Sequence, residues 1–221
     1  DMPEDRVRAI YMDGPQVYGR TAADDVGFEA AFLAKELGRP VRVQWMRDEE
    51  TAWDTKGPAY TFRMRGGLDA AGSPVAIEYE ARALDYNHVG YNEPDTVLIA
   101  QLMGIRPAQP AQGGAALPSN QYGIAHQRMV GHVVSLPMIW ETPLRCGNLR
   151  DPNGPQVTFA FEAFIDEMAA AANADPVEFR LSMIEDSAED GQFRKARSLA
   201  TMRAAAETYG WDSRPSPNPL M

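Results

Sequence analysis

"AYTFRMRGGLDAAGSPVAIEYEARAL" (59–84) decides the fold class. Tyr60, Phe62 and Met64 alternate with Thr61, Arg63 and Arg65, and Val75, Ile77, Tyr79 and Ala81 alternate with Ala76, Glu78 and Glu80. Period two is the signature of a half-buried strand, because successive side chains leave a strand on opposite faces. The stretch between the two runs carries Gly66, Gly67 and Gly72, so the pair predicts a long antiparallel hairpin. One face of that hairpin needs a cover.

The cover is written further along. Phe161, Phe164, Ile165 and Met168 form an apolar stripe at helical spacing, with Pro155 suited to the first helical position. "DPVE" (175–178) reads as a second helix start, with Asp175 as cap, Pro176 in the first turn and Glu178 reaching back; Val177, Leu181 and Ile184 line its face. A third helix is expected from about Arg194 to Tyr209, stopped by Gly210, with Trp211 folding back on its last turn. Strands followed by helices, without β-α-β alternation, predict an α+β fold: a twisted, mainly antiparallel sheet with packed helices.

On the N-terminal side, "TAADDVGFEAAFLAKELG" (21–38) predicts a helix capped by Thr21 or Asp24, ended by Gly38 and closed to extension by Pro40. "RVRAIYM" (6–12) and "VRVQWM" (41–46) read as short strands, the second by strict alternation. Residues 121–140 are expected to contain one more strand, and "RPAQPAQGGAALPSN" (106–120) carries no regular signal. The chain thus reads as one domain over 1–213, divisible into a strand-helix-hairpin lobe (1–85) and a mainly helical lobe (121–213) joined by irregular 86–120. Residues 214–221 read as an extended linker towards a further domain, and an Asp rather than a Met at position 1 fits a piece of a longer protein.

Composition narrows the function classes. The 221 residues are 44% hydrophobic with a net charge of −10, which argues for a packed core and against a nucleic-acid binder. A single cysteine, Cys146, excludes an internal disulfide and a multi-cysteine metal site. His88, His126 and His132 show no metal-ligand spacing, so no metal ligands are assigned. The longest apolar run, "GHVVSLPMIW" (131–140), is too short to span a bilayer, and no signal-peptide pattern is expected at the start. Bacterial cytoplasm and periplasm both remain open.

Two loops carry candidate chemistry. "PLRCGNLRDPNGPQ" (143–156) places Arg145 and Arg150 just ahead of a helix start. Free backbone amides and the helix dipole favour an anion there, and guanidinium groups recognise phosphate or carboxylate through two parallel bonds. Pairing of the two arginines with Asp151, Glu141 or other carboxylates is the competing reading. "DGPQVYGR" (13–20) is a glycine-bearing turn between an expected strand and helix, the geometry by which backbone amides approach a ligand. It lacks the lysine-serine/threonine ending of a phosphate-binding loop and the third glycine of a dinucleotide fingerprint. Cys146 has no evident base beside it, and Trp45, Trp53 and Trp140 read as packing residues.

Taken together, "DDVGFEAAFLAKEL" with "GRPVRVQWMRDEE" (38–50), and "PLRCGNLRDPNGPQVTFAFEAFIDEMAAAANADPVEFRLSMI" (143–184), resemble the molybdenum-binding large subunit of the xanthine oxidase and aldehyde oxidase superfamily. The detail is most similar to the bacterial branch that holds isoquinoline 1-oxidoreductase and nicotinate dehydrogenase subunits. The resemblance implies a molybdopterin-binding domain, a molybdenum-molybdopterin cofactor in its cytosine dinucleotide form, and iron-sulfur clusters in a partner subunit. It implies hydroxylation of a small aldehyde or N-heteroaromatic substrate with water as oxygen source. By position, Gly14, Val17, Tyr18 and Gly19 lie in the family's first cofactor loop, and Arg150, Gly154 and Gln156 match its second, with Arg145 in the same arginine loop that the resemblance assigns to the cofactor. Gln16 and Val17 stand where the family has small residues, Asp151, Pro152 and Asn153 replace part of its glycine-rich run, and Thr21 stands where some members carry a pocket glutamate. The general-base glutamate is expected in the remainder of the large subunit, so the isolated chain is expected to be inactive. The alternative is a scaffold or assembly domain that keeps the fold without the cofactor.

Overall fold

The computed structural model describes residues 3–12, 24–84, 95–105, 117–118, 121–134, 146–147, 151, 153–188 and 194–215. The hairpin forms as β1 (Tyr60–Leu68) and β2 (Pro74–Ala83), paired antiparallel from Tyr60↔Ala83 to Gly67↔Ala76. Asp69 makes the turn: its Oδ1 accepts from the N–H groups of Ala71 and Ser73, both at 2.8 Å, and Gly72 takes φ 85°. Aspartate in a turn bonds its own backbone in this way, and glycine meets the left-handed requirement without a Cβ clash.

The expected strand beyond residue 121 is β3 (His126–Val133), and it pairs with β2 in parallel from Ala76↔His126 to Ala83↔Val133. The sheet among the described residues is therefore three-stranded and mixed, in the order β1-β2-β3. This corrects the mainly antiparallel expectation. Residues 84–125 carry the chain back to the end where β2 began, and a long crossover of that kind permits a parallel pairing that a tight turn forbids.

One face of the sheet is the core. Ile77, Tyr79 and Ala81 of β2 are buried, with Tyr60, Phe62, Met64 and Leu68 of β1 and Met129 of β3 packed around them. The helix α4 (Gly154–Ala171) lays Phe161, Ile165, Met168 and Ala169 on this face. Behind it, α5 (Pro176–Glu185) contributes Phe179, Met183 and Ile184, and α6 (Lys195–Tyr209) adds Leu199 and Met202. The approach of helix to sheet is close enough that a Cβ on Gly66 would stand 2.7 Å from the Met168 sulfur. Gly123 donates its N–H to the Met183 carbonyl at 2.8 Å, and a Cβ there would meet the Asp186 carbonyl carbon at 2.3 Å.

Caps fix the helix ends. The Asp175 carboxylate accepts from Val177 N and Glu178 N at 2.9 and 3.0 Å, and also from the Trp211 indole and Arg214 N, both at 2.9 Å. One residue thereby starts α5 and fastens the tail after α6. Gly210, at φ 70°, ends α6, and Trp211 N bonds back to Ala206 O at 2.8 Å. Arg180 ties α4 to α5: it donates to Glu162 Oε2 at 2.9 Å, to the Glu162 carbonyl at 2.9 Å, to Asp166 Oδ1 at 2.6 Å and to the Pro176 carbonyl at 3.1 Å.

In the N-terminal part, α1 (Asp25–Leu37) ends at Gly38 with φ 62°, as the sequence indicates. Asp24 occupies the N-cap position without a side-chain cap bond, and Thr21 lies outside the described residues. Two short helices were not legible. The first, α2 (Arg47–Trp53), starts where Glu49 Oε2 accepts from Met46 N at 2.8 Å. The second, α3 (Leu98–Leu102), lies inside the stretch expected to be irregular; buried Asp25 caps it from α1, accepting from Leu98 N at 2.6 Å.

Two expected strands are corrected. Residues 7–12 follow a 3-10 turn (Glu4–Arg6) as exposed backbone outside any strand. Their apolar side chains find no face to cover, so alternation alone does not produce a ladder. Residues 41–46 do alternate in burial, with Val41, Val43 and Trp45 the half-buried set, but they join no strand. That alternation packs against α1 instead, where the Trp45 indole donates to Glu29 Oε2 at 2.8 Å.

The outer face of the sheet is charged. Glu78 of β2 lies between Arg65 of β1 and Arg128 of β3, while Glu80 takes Arg82 at 2.7 Å and His132 at 3.3 Å. Those partners give His132 a structural setting, and Arg82 a surface ion pair.

Candidate functional site

The site grows from the segment that leaves α2. Asp54 closes that helix, and residues 55–58 continue outside any helix towards β1. Lys56 forms a parallel bridge with Cys146, and Gly147 N donates to the Lys56 carbonyl at 3.1 Å. Two residues on, the Pro58 carbonyl accepts from Gln156 Nε2 at 3.0 Å. The 54–58 segment is therefore bonded to two described parts of the loop, Cys146–Gly147 and Gln156. Cys146, expected to be without a chemical role, is a buried thiol in this seam.

The start of α4 is shaped by Asp151 and Gly154. Asp151 takes φ 55°, a conformation that aspartate tolerates better than most residues, and its Oδ1 accepts from Gly154 N at 3.2 Å. A Cβ on Gly154 would stand 2.1 Å from an Asp151 carboxylate oxygen, so a side chain at 154 would displace that carboxylate. Pro155 sits in the first turn as expected. The sequence suggested a helix start open to an external anion; the structure sets the protein's own carboxylate on it. A second anion at this point would meet like charge.

Polar groups on the segments that form the seam are unevenly satisfied. Gln156 spends its donor on Pro58, while its Oε1 is buried with no hydrogen-bond partner. Thr55 is 2% exposed, its N–H donates to Asp54 Oδ1 at 2.8 Å, and its Oγ1 is buried with no partner. Orphaned buried polar atoms are uncommon in folded proteins and point to a group that completes them. Burial pushes the Asp54 carboxyl above its ordinary value; the Thr55 N–H and Lys56 oppose this, and Glu50 and Asp25 add to it.

Of the residues singled out from sequence, Gly154 and Gln156 come together here. Gly14, Val17, Tyr18, Gly19, Arg145 and Arg150 lie outside the described residues, as do Gln16, Glu141, His88 and Trp140. Sequence reasoning missed Thr55 and the Pro58 carbonyl. A threonine after a short acidic helix carries no mark of burial, and backbone acceptors carry no residue code. Among the described residues, no group of three or more His, Cys, Asp and Glu side chains is placed to hold a metal. No helix among them is long and apolar enough to cross a membrane.

Comparison with known proteins identifies the family. The family model described as "Molybdopterin cofactor-binding domain" matches residues 2–183. The chain is 32% identical over 217 residues to a nicotinate dehydrogenase subunit of Pseudomonas putida, covering 97% of this chain and 16% of that protein. It is 27% identical over 189 residues to the molybdenum-binding subunit of the aldehyde oxidoreductase of Escherichia coli O157:H7, covering 84% and 22%. It is 26% identical over 210 residues to the beta chain of isoquinoline 1-oxidoreductase of Brevundimonas diminuta, covering 89% and 22%. The chain thus spans only 16% to 22% of the length of these relatives. The chain, an α+β unit matched over residues 2–183, belongs to the molybdopterin cofactor-binding domain family.

Proposed function

We propose that this chain forms one wall of the molybdopterin pocket in a molybdenum hydroxylase-type oxidoreductase acting on an aldehyde or N-heteroaromatic substrate. Gln156 carries the reading: its amide nitrogen is fixed on Pro58 while its Oε1 is a buried acceptor without a donor. A pterin ring presents N–H donors of the kind this acceptor lacks, so the residues present fit the group. Gln156 would hold the heterocycle. Arg145 and Arg150 would supply guanidinium groups for its phosphate. Gly14, Val17, Tyr18 and Gly19, with Gly154, complete the cofactor-binding set on the strength of the family pattern.

When bound, the cofactor supplies the centre at which the substrate carbon is hydroxylated with oxygen from water. The proposal includes the cytosine dinucleotide form and iron-sulfur clusters in a partner subunit as electron acceptors. Residues 1–213 act as one cofactor-binding domain with 214–221 as linker, and the remainder of the large subunit supplies the general-base glutamate. The names of the relatives, which include nicotinate, isoquinoline and aldehyde enzymes, support the substrate class.

One observation favours a second reading. The Asp151 carboxylate on the α4 start, together with Gln16, Val17 and Thr21 in the first loop, suits a scaffold domain that has lost the cofactor. Arg150 in the full-length assembled protein separates the two. A guanidinium bonded to the anionic cofactor contributes about 1.5–3 kcal/mol, roughly tenfold or more in retention. Arg150→Ala should lower pterin and molybdenum content with the fold intact, and Arg150→Lys should restore part of it. Arg82→Ala, which removes the surface pair with Glu80, serves as the control and should change nothing. Unaltered loading in Arg150→Ala would overturn its assignment, and absence of pterin from the unmodified protein would favour the scaffold.

A further inference from the structure

We propose that the Thr55 hydroxyl is a further binding residue of this pocket, acting with Gln156 Oε1 as a buried pair that hydrogen-bonds a nitrogen heterocycle. The inference rests on the functional reading above and adds a residue to it. Thr55 is 2% exposed, and its Oγ1 has no hydrogen-bond partner. Its backbone N–H is committed to Asp54 Oδ1, so the residue is held in place while the hydroxyl remains unsatisfied.

Both orphans lie on segments joined by the same seam. Lys56, the next residue, is bridged to Cys146, and Pro58 holds Gln156. Thr55 and Gln156 therefore belong to segments bonded to each other through Lys56 with Cys146–Gly147 and through Pro58 with Gln156. The chemistry is complementary as well. An amide oxygen only accepts, whereas a hydroxyl both donates and accepts. A pair of this kind suits a ring edge that carries an N–H donor beside a ring nitrogen or carbonyl acceptor, as a pterin does. A purely anionic ligand would leave Gln156 Oε1 unsatisfied.

A ligand-directed hydroxyl and a structural hydroxyl respond oppositely to Thr55→Val, which keeps the shape and removes the oxygen. Burying a polar group without a partner is unfavourable, so replacing it by an apolar isostere is neutral or stabilising to the ligand-free protein. Ser187→Ala is the contrasting control. The Ser187 hydroxyl donates to the Ile184 carbonyl at 2.7 Å, and its loss should destabilise the ligand-free protein.

The experiment uses the full-length assembled protein, with pterin released and quantified by fluorescence, and the cofactor-free protein, with stability read from urea unfolding. Thr55→Val should leave the cofactor-free midpoint unchanged or raised, and should release pterin about tenfold faster than the unmodified protein. Thr55→Ser, which keeps the hydroxyl, should restore slow release. A lowered cofactor-free midpoint in Thr55→Val would show a structural hydroxyl and overturn the inference. So would unchanged release from a protein that holds pterin. If the unmodified protein holds no pterin, the functional reading fails and this inference with it; if it holds pterin and Thr55→Val behaves identically, only the inference fails.

Discussion

Arg180 joins α4, whose start carries Gln156, to α5, and Arg180→Met measures what that joint contributes. The guanidinium is 14% exposed and makes four donor contacts, two to Glu162, one to Asp166 and one to the Pro176 carbonyl. Tyr122 OH adds a bond to the same Glu162 carboxylate at 2.9 Å. Burial and the Glu162 charge push the Tyr122 hydroxyl above its ordinary range. Removing the cation strands the Glu162 carboxylate, whose side chain is 29% exposed, with the Tyr122 hydroxyl as its remaining donor among the described residues. Breaking a fully buried pair costs about 3–5 kcal/mol, whereas an exposed one contributes about 0–1 kcal/mol. Glu162 lies between these limits, and Asp166, at 56% exposed, lies near the second. Their sum places Arg180→Met at about 2–3 kcal/mol, or roughly 5–10 °C in Tm for a domain of this size. Urea unfolding followed by far-UV circular dichroism reads it as a lower midpoint at unchanged slope. Glu162→Gln added to Arg180→Met should recover part of the loss, because the stranded charge is removed. A loss under about 1 kcal/mol, or no recovery in the double variant, would refute the reasoning.

Three further outcomes follow from the same structure. Gly123→Ala sets a Cβ 2.3 Å from the Asp186 backbone and should cost about 1–3 kcal/mol in urea unfolding, more than Gly67→Ala, whose nearest neighbour is an ordinary 3.5 Å away. Burial alone would raise the Asp175 carboxyl, but the N–H groups of Glu178, Arg214 and Val177 and the Trp211 indole outweigh it and hold the group below its ordinary value. Its contribution is therefore present above its unfolded value, about 3.9, and is lost as pH falls through the folded value; Asp175→Asn should flatten the acid limb of the stability profile. Gly38→Ala, at φ 62°, should cost about 1 kcal/mol, read from the shift in thermal midpoint.

How far the sequence foretold this molecule depends on how local each signal is. The β1-β2 hairpin was legible because its alternation and its turn residues lie within one stretch, and Asp69 closes the turn with its own side chain. The Asp175-Pro176 start and the glycine stops at 38 and 210 were legible for the same reason. The direction of β3 was not, since a strand's own residues do not record whether its neighbour runs with it or against it. Nor was α3, whose cap is a carboxylate from α1 far away in sequence. In the site, the Gly-Pro-Gln turn was legible as a helix start, while Thr55 became visible only when folding buried a hydroxyl and left it without a partner. The Asp151 carboxylate on that helix start was weighed only as an arginine partner, because φ 55° at a non-glycine residue cannot be read from composition.

The most direct test of the account is the molybdenum and pterin content of the natively purified full-length protein. Family membership together with the orphaned Gln156 acceptor predicts both in stoichiometric amount, with pterin released on unfolding. A folded, assembled protein that carries neither, purified from cells in which a relative such as the aldehyde oxidoreductase is fully loaded, would contradict it.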